Sequence, residues 1–217
     1  MTLHTVFIKA SQTSILIPVI LGVQSFKKLT NPFKYLLYFL IASVFFEIQA
    51  SVLKMIYHNN MPGLHLFTFV EFMTMIYVYF KHFEKSKTLK NLILLNTLLF
   101  VLIAFTDAFI INDIWKPNNI SRTFSALSLV CWSLVFFFDS IKNDYYFFTW
   151  EDSMFWFNTS IFIYFSLNLF YFMLNNYLVE HAFSIAYNSM RVHALINMAS
   201  NLLLGKSFAC FNRTQVR

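Results

Sequence analysis

Glu47, Glu71 and His193 are the residues best equipped for chemistry in a chain that otherwise holds few ionisable groups within its apolar stretches. A carboxylate there can bind a charge or move a proton, and an imidazole can exchange a proton near neutral pH or hold a hydrogen bond. Each is costly in lipid unless it faces protein, water or a counter-charge. Their neighbours extend the pattern. Ser43, Glu47, Ser51 and Lys54 follow one another at spacings of four, four and three, which sets them along one helix face. Thr74 lies three residues after Glu71, and His193, Asn197 and Asn201 repeat every four. The functional reading is a ligand or catalytic pocket in which Glu47 and Glu71 supply charge and His193 assists. The plainer reading is that the same groups staple helices together, as polar contacts do in ordinary membrane bundles.

Other chemistries find less support. His58, His65, Glu71 and His193 share one side of the expected topology, but no HExxH or other closely spaced ligand set is present, so no metal site is expected. Cys131 and Cys210 stand singly in apolar surroundings and imply no disulfide framework. Asp139 and Asp152 read as interfacial charges. Lys206, in "NLLLGKSF", lacks the glycine and the strand-to-helix setting of a phosphate loop and reads as a snorkelling side chain. Serine spacing alone identifies no nucleophile. No residue is assigned a catalytic role, and no cofactor is named.

The elements that must position these groups follow from composition. Of 217 residues, 58% are hydrophobic and 12% charged, and the mean hydropathy is +0.59, outside the balance of an ordinary soluble domain. The apolar residues fall in blocks of roughly 18 to 24, long enough to cross a bilayer as helices. The 29 Phe and 11 Tyr against 3 Gly could favour strands, but blocks such as "LILLNTLLFVLIAF" lack the alternation of a membrane barrel, and helices satisfy their own backbone groups in lipid. Seven spans are predicted, over 5–26, 33–56, 64–80, 89–110, 120–141, 154–174 and 187–211. They form one all-α domain over 1–217, a bundle with short loops. The first stretch lacks a basic leader and a small-residue cleavage site, so it is expected to remain as a span.

Orientation is read from Lys and Arg. Lys27, Lys28, Lys34, Lys81, Lys85, Lys87, Lys90, Lys142, Arg213 and Arg217 share one face, against Lys54, Lys116, Arg122 and Arg191 on the other. This bias predicts an outside N-terminus and a cytoplasmic C-terminus. Tyr145, Tyr146, Trp150 and Trp156 near one boundary, and Trp115 near the other, fit interfacial aromatic belts. Glu47, Glu71 and His193 then fall in the outer half of the membrane with Lys9, Gln12 and Asn197. Asp107, Arg122 and Asn168 can approach them from the fourth, fifth and sixth spans. The expected site is an outward-facing polar chamber containing Lys9, Gln12, Glu47, Glu71, Asn168, His193 and Asn197. The net charge of +6 is scattered over loops with no basic-aromatic motif, which favours membrane lipid headgroups over nucleic acid.

The segments "FTFVEFMTMIYVYF", "FWFNTSIFIYFSLNLFYFML" and "VHALINMASNLLLGKSF" make the chain resemble small seven-span membrane proteins of Bacteroidetes. The resemblance implies the seven-span architecture and a bacterial cytoplasmic (inner) membrane, and it draws attention to Glu71, Asn158, His193 and Asn197. It brings no activity with it. The leading expectation is a small membrane sensor or accessory signalling protein whose pocket receives a lipid, small molecule or proton signal and answers to a separate cytoplasmic partner. The alternative is a membrane enzyme acting on a lipid or isoprenoid, with Glu47 or Glu71 as acid or base. A transporter or channel comes third, since no inverted repeat is evident.

Overall fold

The computed structural model describes residues 3–142 and 151–213. The aromatic cluster at Tyr145, Tyr146 and Trp150, the tail ending in Arg217, and the side chains of Ser51 and Arg213 lie outside what it describes. The described chain is all helical: α1 (Leu3–Ser14), α2 (Leu16–Gln24), α3 (Asn31–Tyr57), α4 (Met61–His82), α5 (Lys87–Thr106), α6 (Asn119–Lys142), α7 (Ser153–His181) and α8 (Phe183–Arg213). Seven spans are long and apolar enough to cross a bilayer, the first made by α1 and α2 together. This is a polytopic integral membrane protein built as a seven-helix bundle.

Local chemistry sets the boundaries. Pro32 and Pro62 sit in the first turns of α3 and α4, where a missing N–H is harmless. His58, at φ 52°, ends α3 in the left-handed conformation. Asn59 Oδ1 then accepts from the Met61 amide at 2.8 Å. Ser86 Oγ accepts from Leu89 N at 3.4 Å to start α5, and Asp152 Oδ1 accepts from Met154 N at 2.8 Å to start α7. These are side-chain caps on otherwise unpaired helix donors.

Three features depart from the expected boundaries. The first span is two helices, divided at Ile15. Pro18 cannot donate to the Ser14 carbonyl, and its ring crowds that carbonyl, which breaks the ladder there. α7 runs on to His181 and α8 begins at Phe183; the run after Leu174 holds no Gly or Pro to break the helix. A π-helical stretch, Asp107–Ile111, follows α5.

α1 and α2 both lie along α8; α8 packs on α7, α7 on α6, α6 on α4 and α5, and α4 on α3. The ring closes where α2 meets α3. Packing is tight on both sides of α2: a Cβ on Gly22 would stand 2.6 Å from Leu37 Cδ1 of α3, and one on Gly205 of α8 would stand 3.1 Å from Ile17 Cγ2. Phe33, Leu36, Leu37, Tyr79, Phe157 and Phe208 fill this half of the core. The other half of the ring holds a cavity.

Candidate functional site

α4 places Thr68, Glu71 and Met75 on one face, all buried. The first turn of α6 places Arg122 opposite. Its Nη1 donates to Glu71 Oε2, forming an ion pair whose side chains are 13% and 7% exposed. Arg122 also donates to Thr68 Oγ1 at 3.4 Å and, through Nη2, to Tyr164 Oη of α7 at 3.3 Å. The guanidinium lies over the Phe172 ring at 4.5 Å, a cation–π contact that suits its planar, weakly hydrated charge. One cation thus ties three helices.

The turn that aims Arg122 is itself anchored. Asp107, fully buried in the π-helical stretch, accepts from the Ser121 amide at 2.8 Å and from Asn112 Nδ2 at 2.7 Å. Its carboxylate sits at the positive end of α6, where a negative charge is favoured. Asn118, just before α6, donates to Thr68 Oγ1 at 2.8 Å and to the Leu64 carbonyl at 3.2 Å.

His193 of α8 faces α7. Its Nδ1 lies 2.9 Å from Asn168 Oδ1, while Asn168 Nδ2 donates to the Tyr164 carbonyl at 2.8 Å. A carbonyl can only accept, so the amide orientation of Asn168 is fixed, and Nδ1 must be the protonated ring nitrogen of the neutral imidazole. Nε2 is left as an acceptor. The ring stacks on Tyr171 with centroids 5.1 Å apart. Further along the same stripe, Asn197 donates to Ser11 Oγ at 2.9 Å and Asn201 to Ser14 Oγ at 2.8 Å. The stripe seen in the sequence therefore joins α8 to α7 through its first residue and to α1 through the other two.

These groups border a cavity of about 400 Å³, within the range of small-molecule sites, roughly 300–1,000 Å³. Gln12, Glu47, Glu71, Arg122, His193 and Asn197 line it, above an apolar floor that includes Phe39, Leu40, Met75, Phe165 and Leu204. Gln12 Nε2 donates to Glu47 Oε2 at 3.0 Å across its margin. Of the residues expected in the chamber, Asn168 is buried behind His193, and Lys9 is exposed on α1 outside the lining. Ser43 lines the cavity, while Lys54 of the same predicted face is exposed and does not. Thr74 turns back to the Val70 carbonyl at 2.9 Å.

Sequence reasoning brought Arg122 near the chamber without naming it as the partner of Glu71. The signal was present: an arginine and a glutamate, each inside an apolar block and reaching toward one end, each need a counter-charge. Tyr164, Thr68, Asn118 and Tyr171 gave no comparable signal, because neutral polar groups are common in membrane helices. His58, His65 and His193 do not gather. His65 Nε2 lies 3.0 Å from the Lys116 carbonyl and His58 is exposed. Among the described residues no three His, Cys, Asp or Glu side chains form a metal-binding group.

No protein-family model, curated protein or solved structure matches this chain. The cavity wall carries a neutralised ion pair, an imidazole with one acceptor nitrogen, and several side-chain amides. That set can orient a polar head by hydrogen bonds while the floor takes apolar groups. It is less suited to a standing general base at Glu71, whose charge is already held by Arg122.

Proposed function

We propose that this protein is a small membrane sensor or accessory signalling protein whose cavity receives a lipid or small-molecule ligand from the outer half of the bilayer. The observation that carries the reading is the Arg122–Glu71 ion pair on the cavity wall, which links α4 and α6 and, through Tyr164, α7. A ligand that binds better to one arrangement of these helices than to another shifts the population between them. Their far ends carry the basic connections with Lys81, Lys85, Lys87, Lys90 and Lys142, the surface offered to a separate cytoplasmic partner. The N-terminus-outside orientation and a bacterial inner membrane belong to this same proposal.

The experiment is hydrogen exchange on the protein in nanodiscs, with and without a panel of lipids and small amphiphiles. A ligand that fills the cavity is expected to change protection both around Glu71 and Arg122 and in the 81–90 connection. The double variant Glu71→Gln/Arg122→Gln should lose the distal change. A ligand that protects the cavity and leaves the 81–90 connection unaltered would rule out signalling by this route.

One observation favours an enzyme acting on a lipid or isoprenoid instead: the acceptor Nε2 of His193 and the Glu71 carboxylate belong to one cavity. Mass spectrometry of a lipid extract incubated with pure protein separates the readings. Product formation abolished by His193→Ala would favour catalysis.

A further inference from the structure

The polar lining sorts into acceptors and donors. Asn118 donates its Nδ2 to the Leu64 carbonyl, so its Oδ1 is the group it can offer to the cavity. Ser14 gives its own proton to the Ser11 carbonyl at 2.6 Å, so it must accept from Asn201 Nδ2, and Asn201 likewise keeps Oδ1. His193 keeps Nε2 as an acceptor by the argument given above. Glu47 adds a carboxylate, which can only accept when ionised. Arg122, the cation of the lining, directs N–H groups to Glu71, Thr68 and Tyr164, and because the Thr68 and Tyr164 oxygens accept there, each of these two hydroxyls keeps its own proton to give. What the cavity offers a ligand is therefore a set of amide, imidazole and carboxylate acceptors beside hydroxyl donors.

A fatty-acid carboxylate or a phosphate dianion brings acceptors only, so it leaves the amide oxygens unpaired. An ammonium group brings donors only, so it leaves the Thr68 and Tyr164 hydroxyl protons unpaired, and it must shed its hydration shell to enter. Hydroxyl groups both donate and accept, and so satisfy this lining without either cost. The cavity is too small for a two-chain phospholipid, and its floor is apolar and aromatic.

The route inward is also visible. α1 lies against α8, and the first span meets α3 mainly through α2, at the opposite end of the bundle. At the cavity end, α1 and α3 thus form a seam crossed by the hydrogen bond from Gln12 to Glu47, both exposed. Both α1 and α3 belong to spans, so this seam faces lipid.

We propose that the cavity takes an uncharged, hydroxyl-bearing, single-chain amphiphile that enters sideways from the bilayer between α1 and α3. The inference rests on the ligand-binding reading of the cavity and adds the ligand's chemistry and its path.

The test uses the full chain in nanodiscs and a monoacylglycerol carrying a diazirine in its acyl chain and an alkyne tag. Labelling should saturate and map to cavity residues. Unlabelled monoacylglycerol should compete at least about tenfold better than the fatty acid or the primary amine of equal chain length. The double variant Gln12→Cys/Glu47→Cys, with Cys131 and Cys210 replaced by Ala, is then bridged by a short thiol-specific cross-linker. Bridging, verified by mass spectrometry, should slow labelling by about tenfold or more, and reduction should restore it. Saturable labelling that ignores the bridge, or residues 12 and 47 that cannot be bridged, overturns the sideways path. Better competition by the acid or the amine overturns the hydroxyl assignment while leaving a ligand-binding cavity. Absence of saturable labelling by acid, amine and monoacylglycerol probes alike removes the ligand-binding reading together with this one.

Discussion

Arg122 and Glu71 form a buried ion pair between two helices that are separated by a third span in sequence, α5, which takes no part in the cavity. The pair makes a direct prediction. Glu71→Gln leaves a guanidinium without its counter-charge, and Arg122→Gln leaves a lone carboxylate. Either should destabilise the protein by about 3–5 kcal/mol, whereas the double substitution to Gln should recover most of the loss. Thermal unfolding of the three variants in detergent reads this out. Single variants as stable as the parent would mean that the two charges do not depend on each other.

Asp107 is expected to act on Arg122 from a distance. Asp107→Ala removes the acceptor for the Ser121 amide, a loss of about 0.5–2 kcal/mol for a helix cap. The start of α6 should fray, seen as faster hydrogen exchange at residues 121–123 with little change in the second half of the helix. Asp107→Asn keeps an acceptor oxygen and should lie between the two. Equal exchange in all three proteins would remove Asp107 from any positioning role.

Tyr79 and Asn158 make a buried polar contact in the opposite half, with Tyr79 Oη donating to Asn158 Oδ1 at 2.7 Å and Asn158 Nδ2 donating to the Ser133 carbonyl at 3.3 Å. Interhelical hydrogen bonds in membranes average about 0.6 kcal/mol, with a maximum near 1.7. Both residues are fully buried, so a Tyr79→Phe and Asn158→Leu double-mutant cycle should give a coupling toward the upper part of that range. A coupling near zero would reduce the contact to packing.

Orientation gives the fourth prediction. In a background with Cys131 and Cys210 replaced by Ala, a cysteine at Lys116 should react with a membrane-impermeant thiol reagent added to intact cells. A cysteine at Lys85 should react only after the cells are opened. The reverse result would place the cavity toward the cytoplasm.

The span pattern was legible because lipid imposes one simple rule: a long apolar run must hydrogen-bond to itself, and a helix does so without help from distant sequence. The gathering of Glu47, Glu71 and His193 at one end followed from counting alternate spans. The pairing of Glu71 with Arg122 depends on how α4 and α6 are rotated about their axes, which no local pattern fixes. The division at Ile15 was signalled by Pro18, but proline is tolerated within many spans, so whether a ladder breaks there depends on its neighbours. The overrun of α7 to His181 was hidden because the end of an apolar run marks the end of the hydrocarbon, and a helix that meets no Gly or Pro can continue past it.

α5 stands outside the ring around the cavity and still grips two of its members. Phe100 stacks on Phe72 of α4 with centroids 3.9 Å apart, and Asn96 bonds both Ser128 and Trp132 of α6. It works as a hoop works on two staves: any parting of α4 from α6 must first loosen a helix that never touches what lies inside. The hold of α4 on α6 is therefore shared with a helix that lies beyond the cavity lining, on the far side of both.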